Sequence, residues 1–274
     1  MPDPDYEAIK ARSRAMWSEG DYAPLARRLE PAAEALVAFA GVDGSTSVLD
    51  VAAGTGNVAY AAARAGAPRV VASDLTPALM ELGRAREGDE GTALEWVEAD
   101  AEALPFDAGS FDRVLSCFGA MFAPRPELVA GELVRVTAPG GTAAMACWTP
   151  EGFQAHLWKA LEPYAPPPVA ELAPPMAWGD ADVARSRLLG AGAAAVDTEA
   201  AVVEWEFTGF DEAWDLLTNA GGGFSALLRS LPDDAARAAA REAISNLALE
   251  RNTAADGSLR IPGDYLLVRA QAPA

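Results

Sequence analysis

Between Val48 and Trp148 the chain alternates short, nearly unbroken apolar runs with longer stretches whose apolar positions recur at helical spacing. The runs Val48–Ala52, Arg69–Asp74, Leu94–Ala99, Arg113–Ser116 and Gly141–Trp148 have strand length, and their lack of polar alternation predicts burial on both faces. Helices are predicted after Asn57, Thr76, Pro126 and Gly152. Strand and helix in regular alternation make a doubly wound, mostly parallel α/β sheet. Upstream, residues 5–40 read as two helices broken at Ser18-Glu19-Gly20-Asp21. Pro24 falls in the first turn of the second, and Leu25, Leu29, Ala33, Leu36 and Val37 share a face.

Beyond Trp148 the pattern changes. Tyr164–Trp178 is proline-rich (Pro166, Pro167, Pro168, Pro174, Pro175) and is expected to run extended as a pocket wall. Asp180 is placed to cap a helix ending at Leu189. In Val202–Phe207, Val203, Trp205 and Phe207 fall on one face and Glu204 and Glu206 on the other, which predicts a half-exposed strand. Two or three helices occupy 211–250, and Tyr265–Val268 makes a closing strand. No repeat interrupts this order.

A chain of 274 residues, 51% hydrophobic, accommodates one large α/β domain with a substantial core. Its 21 basic against 40 acidic residues leave a net charge of −19, which opposes binding to a phosphate backbone and favours a small-molecule substrate over nucleic acid. Cys117 and Cys147 fall in predicted core strands without metal-ligand spacing, so they read as core thiols and no metal site is expected. Met1-Pro2-Asp3-Pro4-Asp5 is acidic and lacks the apolar stretch of a signal peptide. No apolar run reaches the roughly 18 residues of a membrane span. The expectation is a cytoplasmic protein without membrane contact.

The candidate chemistry gathers on Gly54-Thr55-Gly56, between the first strand and its helix. Glycines there let backbone approach a ligand, and the helix start offers free N–H groups to an anionic one. Three acids stand at strand positions around it: Asp50, Asp74 and Asp100. The loop also satisfies a loose G-x-G-x-x-[GA] pattern with Asp74 about twenty residues on, as dinucleotide sites require. Asp50 argues against that reading, because it lies inside a strand where a dinucleotide fold is normally apolar. The acid opening Asp100-Ala101-Glu102-Ala103-Leu104-Pro105-Phe106 and the late helices before a final strand argue the same way.

Val48–Ala59, Val71–Met80, Glu98–Phe106, Ser110–Pro124 and Leu133–Trp148 resemble the successive motifs of class I S-adenosylmethionine-dependent methyltransferases. The similarity is greatest to the ubiquinone/menaquinone-biosynthesis-like small-molecule group. Trp17-x-x-Gly20-Asp21-Tyr22 and Ile261-Pro262-Gly263-Asp264-Tyr265 add to it. The resemblance implies a Rossmann-like sheet of seven strands ending in an antiparallel hairpin, with S-adenosyl-L-methionine as cofactor. It implies one domain over 1–274: a helical lid at 1–44, a cofactor-binding core at 45–150 and a helical insertion over the acceptor at 208–252.

Residue by residue, it implies that Ala53, Gly54 and Gly56 lie against the methionine end, with Asp50 in the same site. Asp74 would take both ribose hydroxyls, its two oxygens suiting a vicinal diol. Leu75 and Met80 would cover the adenine, with Asp100 accepting from its amine and the Ala101 N–H donating to the ring. Ser116, Cys117 and Phe118 would border the ligand's amino group and methyl-bearing sulfur. Trp17 and Tyr22 would close over the cofactor or staple the N-terminal helices to the core. Glu102 reads as exposed, and Met121 and Phe122 as packing or as substrate wall.

His156 is the sole histidine, the residue type best suited to act as a general base, and follows the fifth strand closely; the plainer reading is a helix histidine. Trp158, Tyr164, Trp178, Trp214 and Phe224 make an apolar, aromatic acceptor pocket, suited to a metabolite of a biosynthetic pathway. Two other activities stay open on this sequence. One is NAD(P)-dependent oxidoreduction through the glycine turn, and the other a non-methylating step, such as a cyclisation, on the same fold. A non-catalytic interaction protein fits the complete set of cofactor motifs least.

Overall fold

The computed structural model describes residues 4–165 and 172–274, so Met1–Asp3 and the predicted pocket-wall prolines Pro166, Pro167 and Pro168 lie outside the described residues. Seven strands form one sheet: β1 (Ser47–Val51), β2 (Arg69–Asp74), β3 (Glu95–Glu98), β4 (Phe111–Cys117), β5 (Thr137–Trp148), β6 (Ala195–Phe207) and β7 (Leu259–Gln271). Their spatial order is β3-β2-β1-β4-β5-β7-β6. The first five pair in parallel, and β7 runs antiparallel to both β5 and β6. Val48, Leu49, Asp50 and Val51 are all buried. Successive residues of a strand face opposite sides, so four in a row require cover on both faces. The expected doubly wound, seven-stranded sheet is present.

The helices are α1 (Tyr6–Trp17), α2 (Ala23–Arg28), α3 (Glu30–Phe39), α4 (Asn57–Arg64), α5 (Pro77–Arg84), the single turn α6 (Glu87–Glu90), α7 (Pro126–Val136), α8 (Phe153–Leu161), α9 (Ala181–Gly190), α10 (Phe210–Asn219), α11 (Gly222–Arg229) and α12 (Asp234–Arg251). Several start where the sequence provides for it. Proline, whose missing N–H costs nothing in the first turn, opens α5 and α7. The Asp180 carboxylate accepts from the N–H groups of Asp182 and Val183 at the head of α9.

Residues 5–40 hold three helices and not the expected two. Pro31 cannot donate an N–H back into the preceding turn, and the chain pivots at Leu29 before α3 begins. With Ala32, Ala33, Leu36 and Val37 buried, α3 packs on α4 and the sheet. The final hairpin is longer than its alternating core suggests, because Leu259–Gln271 pairs with all of β6, including its polar half Ala195–Ala201. Among the described residues no helix is long and apolar enough to cross a membrane.

Candidate active site

The strand order reverses between β1 and β4, where diverging connections leave a crevice at the strand C-termini. A cavity of about 140 Å³ opens there. Ala52 and Phe118, just past the ends of β1 and β4, have φ of 54° and 55°, the positive φ that side chains other than glycine's rarely adopt. They are close neighbours: a Cβ on Gly119 would stand 2.3 Å from the Ala52 carbonyl oxygen. Strain of this kind concentrates where backbone must approach a ligand.

Trp17, Tyr22, Asp50, Ala53, Gly54, Asp74, Leu75, Asp100, Ala101, Cys117 and Phe118 all line this cavity. Asp74 is 6% exposed; its Oδ2 accepts from the Gly54 N–H at 2.7 Å and its Oδ1 from the Thr76 N–H at 2.7 Å. Burial raises its carboxyl above the ordinary range, against the pull of those N–H donors. Asp50 is 1% exposed, and its Oδ2 accepts from the Ala59 N–H at 3.0 Å. Its Oδ1 is buried without a partner. Burial, with the neighbouring Asp74, holds Asp50 well above the carboxylate range despite the Ala59 bond. Burial, Cys117 and Asp74 likewise push the Tyr22 phenol up.

Asp100 stands at the mouth. Its Oδ1 accepts from the Glu102 N–H at 2.9 Å, and its Oδ2 lies 2.6 Å from Lys10 Nζ. Lys10, on α1, is 8% exposed and also lies 2.8 Å from Glu102. Burial opposes its charge, but the bonds to Asp100 and Glu102 outweigh it and hold the ammonium above its ordinary range. Glu102, expected to be exposed, is buried because it pairs with both Lys10 and Arg125.

Four expected site residues stand elsewhere. Met80 is buried behind α5, and Leu79 meets the cavity in its place, since neighbours on a helix point about 100° apart. Gly56 starts α4 with φ of 79°; a Cβ there would lie 2.8 Å from the Trp96 ring, so its glycine serves packing. The Ser116 hydroxyl accepts from the Ala120 N–H at 3.0 Å and is fully buried. His156 does not line this cavity: its Nδ1 lies 2.9 Å from the Gly152 carbonyl and its Nε2 lies 3.1 Å from an Arg251 nitrogen. One turn along α8, its ring is turned toward Arg251 of α12.

A second cavity, of about 230 Å³, adjoins the first and shares Trp17, Tyr22, Leu29, Phe118 and Phe122 with it. Phe118 stacks on Trp148 at 3.7 Å between ring centres, with Tyr265 edge-on at 5.4 Å. Trp158 and Phe224 line this chamber as expected residues, stacked at 4.2 Å. Trp178 is buried away from it, and neither Tyr164 nor Trp214 borders it. Trp148, Phe153, Trp205, Phe207 and Phe210 take those places, from β5, α8, β6 and α10. Val203, Trp205 and Phe207 were already visible as the apolar face of a strand, but nothing local shows that such a face borders a cavity.

A profile of the methyltransferase domain matches residues 49–145. Uncharacterized protein Rv1405c of Mycobacterium tuberculosis is 42% identical over 204 residues, 74% of each chain. The ubiquinone/menaquinone biosynthesis C-methyltransferase UbiE of Methylobacterium nodulans is 42% identical over 97 residues, 34% of this chain and 38% of that one. The crystal structure of a putative methyltransferase from Bacillus halodurans superposes with a TM-score of 0.59 at 24% identity, covering 88% of this chain and 99% of that one. The seven-stranded sheet, the glycine turn with its acids at the strand ends and this kinship place the chain in the class I S-adenosylmethionine-dependent methyltransferase family.

Proposed function

We propose that the protein transfers a methyl group from S-adenosylmethionine to a small, apolar or aromatic acceptor. The observation that carries this reading is the meeting of two unlike cavities, one with three carboxylates and a lysine among its lining residues and one almost wholly apolar, at Trp17, Tyr22, Phe118 and Phe122. The donor set suits the cofactor. Asp74 keeps unused lone pairs on both oxygens for a diol, and the buried, unpartnered Asp50 Oδ1 calls for a donor such as an ammonium. Leu75 and Leu79 supply apolar cover, and Asp100 with the Ala101 backbone suits the edge of a purine.

Bound cofactor supplies a methyl on a sulfonium, an activated group that leaves without acid catalysis. The chain then has to align the acceptor, exclude water and keep the reacting atoms in contact. Trp17, Tyr22 and Phe122 form the collar through which the acceptor atom meets the methyl. The described chamber residues include no carboxylate, imidazole or ammonium. An acceptor that needs a proton removed therefore enters neutral and loses it to water as or after the methyl is transferred. Calorimetry with adenosylhomocysteine tests the cofactor half of this reading. A gain of one methyl mass on a neutral aromatic metabolite, dependent on S-adenosylmethionine, tests the rest; a folded protein that binds neither cofactor form overturns it.

A further inference from the structure

The apolar chamber contains one feature that packing does not explain. Gln154, in the first turn of α8, lines the chamber at 5% exposure, and its Oε1 has no hydrogen-bond partner. Leaving a buried amide oxygen unpaired is costly, and such groups are normally satisfied. Trp205 also lines the chamber with an unpartnered Nε1, but that atom lies over Gly263, where a Cβ would come within 2.4 Å of it. It is closed off by backbone. Gln154 is different: Phe153, Leu157 and Trp158, its neighbours along α8, line the same chamber with apolar faces and an indole. Among the described residues, no charged side chain lines the chamber.

We infer that the chamber takes an uncharged, aromatic acceptor that donates one hydroxyl hydrogen bond to the Gln154 side chain, and that Gln154 is a positioning residue setting the acceptor's orientation. The inference rests on reading this chamber as the acceptor site. Two physical arguments carry it. A charged guest would lose its hydration with no counter-charge in the wall, so it is rejected. The amide oxygen is already closed to water and unpaired, so a guest hydroxyl that reaches it gains a hydrogen bond that a guest lacking the hydroxyl cannot make.

Three probes of one shape test this: 2-naphthol, its isostere 2-methylnaphthalene, and the anion 2-naphthoate. Their affinities are read from quenching of the chamber tryptophans in the full-length protein, with saturating adenosylhomocysteine present. The parent is expected to bind 2-naphthol about tenfold tighter than 2-methylnaphthalene and to bind 2-naphthoate weakest. Gln154→Met, similar in volume and apolar, is expected to erase the preference for the hydroxyl by weakening 2-naphthol alone. Gln154→Glu, whose buried carboxyl stays protonated and still accepts, restores it.

Equal binding of 2-naphthol and 2-methylnaphthalene by the parent overturns the inference, as does a preference that survives in Gln154→Met. Tight 2-naphthoate binding, or no binding by any probe, overturns it too. If a variant does not fold, the parent's ranking of the three probes still decides. Adenosylhomocysteine affinity in the same preparation separates the layers: intact cofactor binding with a wrong ranking removes this inference alone, whereas absent cofactor binding removes the reading beneath it.

Discussion

At the residue scale the site is built by making carboxylates uncomfortable until a ligand arrives. Asp74 is fixed by the N–H groups of Gly54 and Thr76, so truncating it removes a charge-assisted contact of about 1.5–3 kcal/mol. Asp74→Ala is expected to weaken adenosylhomocysteine at least about tenfold, measured by calorimetry; an unchanged affinity would take Asp74 out of the ligand contacts. Asp50 leads to a sharper expectation. Its carboxyl is held well above the ordinary range, so in the free protein it keeps a proton that the unfolded chain has released.

The stability Asp50 contributes is therefore fully present below the unfolded pKa and is lost as pH rises through the folded one. A ligand ammonium beside Oδ1 favours the charged carboxylate and expels that proton. Adenosylhomocysteine titrations in two buffers of different ionisation enthalpy, at mildly acidic pH, are expected to show proton release that Asp50→Asn abolishes. Proton uptake on binding would reverse the assignment. His156→Ala, by contrast, is expected to leave single-turnover methyl transfer within about threefold of the parent, since its ring faces Arg251.

These residues differ in how far the sequence reveals them. Gly54, Asp50 and Asp74 are legible because a turn and its strand fix them locally. Lys10 and Gln154 are not: the acids that pair with Lys10, and most of the chamber around Gln154, come from distant elements. The one available signal for Lys10 is its rarity, as one of two lysines in an arginine-rich chain.

At the element scale the N-terminal helices and the 208–252 insertion are joined to each other as two covers. The Asp21 N–H donates to the Asn219 carbonyl at 2.8 Å, and Arg229 lies 2.8 Å from Glu19. Gly20, with φ of 81°, approaches so closely that a Cβ would lie 2.4 Å from the Asn219 oxygen, and Gly221 stands in the same relation to Glu19. The loop after α1 and the loop after α10 are thus held backbone to backbone, while Lys10 anchors α1 to Asp100 and Glu102. Closing over a ligand should order both covers as one unit.

Hydrogen exchange is expected to slow on adenosylhomocysteine binding in α1 and α2 and in α10 and α11 alike. In Lys10→Met, α1 should exchange faster without ligand. Protection confined to residues 50–120 would mean that the covers do not sense the site. The α/β alternation beneath them was readable because strands buried on both faces leave an unbroken apolar signature. The covers were not: their amphipathic faces announce burial without saying against what. Pro31 was visible as well, yet whether it opens a new helix or kinks an old one depends on what α3 packs against.

At the scale of the whole molecule the net charge of −19 acts on the ligands differently. S-Adenosylmethionine carries a sulfonium, an ammonium and a carboxylate, a net single positive charge, whereas adenosylhomocysteine has lost the sulfonium charge and is neutral overall. A protein of this charge, with Asp74 and Asp100 at one crevice and only Lys10 opposing them among its described lining residues, is expected to favour the donor over the product. Such a field is expected to draw in the cofactor that carries a methyl and to hold it less once the methyl has gone.

Salt separates this long-range part from the short contacts, since the Debye length falls from tens of ångströms at low salt to a few near 1 M. Between about 20 and 500 mM salt, S-adenosylmethionine is expected to weaken about two- to fivefold while adenosylhomocysteine changes little. Parallel salt slopes for the two would show that the preference arises from contact with the sulfonium alone. In that case the acidic surface would have no part in exchanging product for donor.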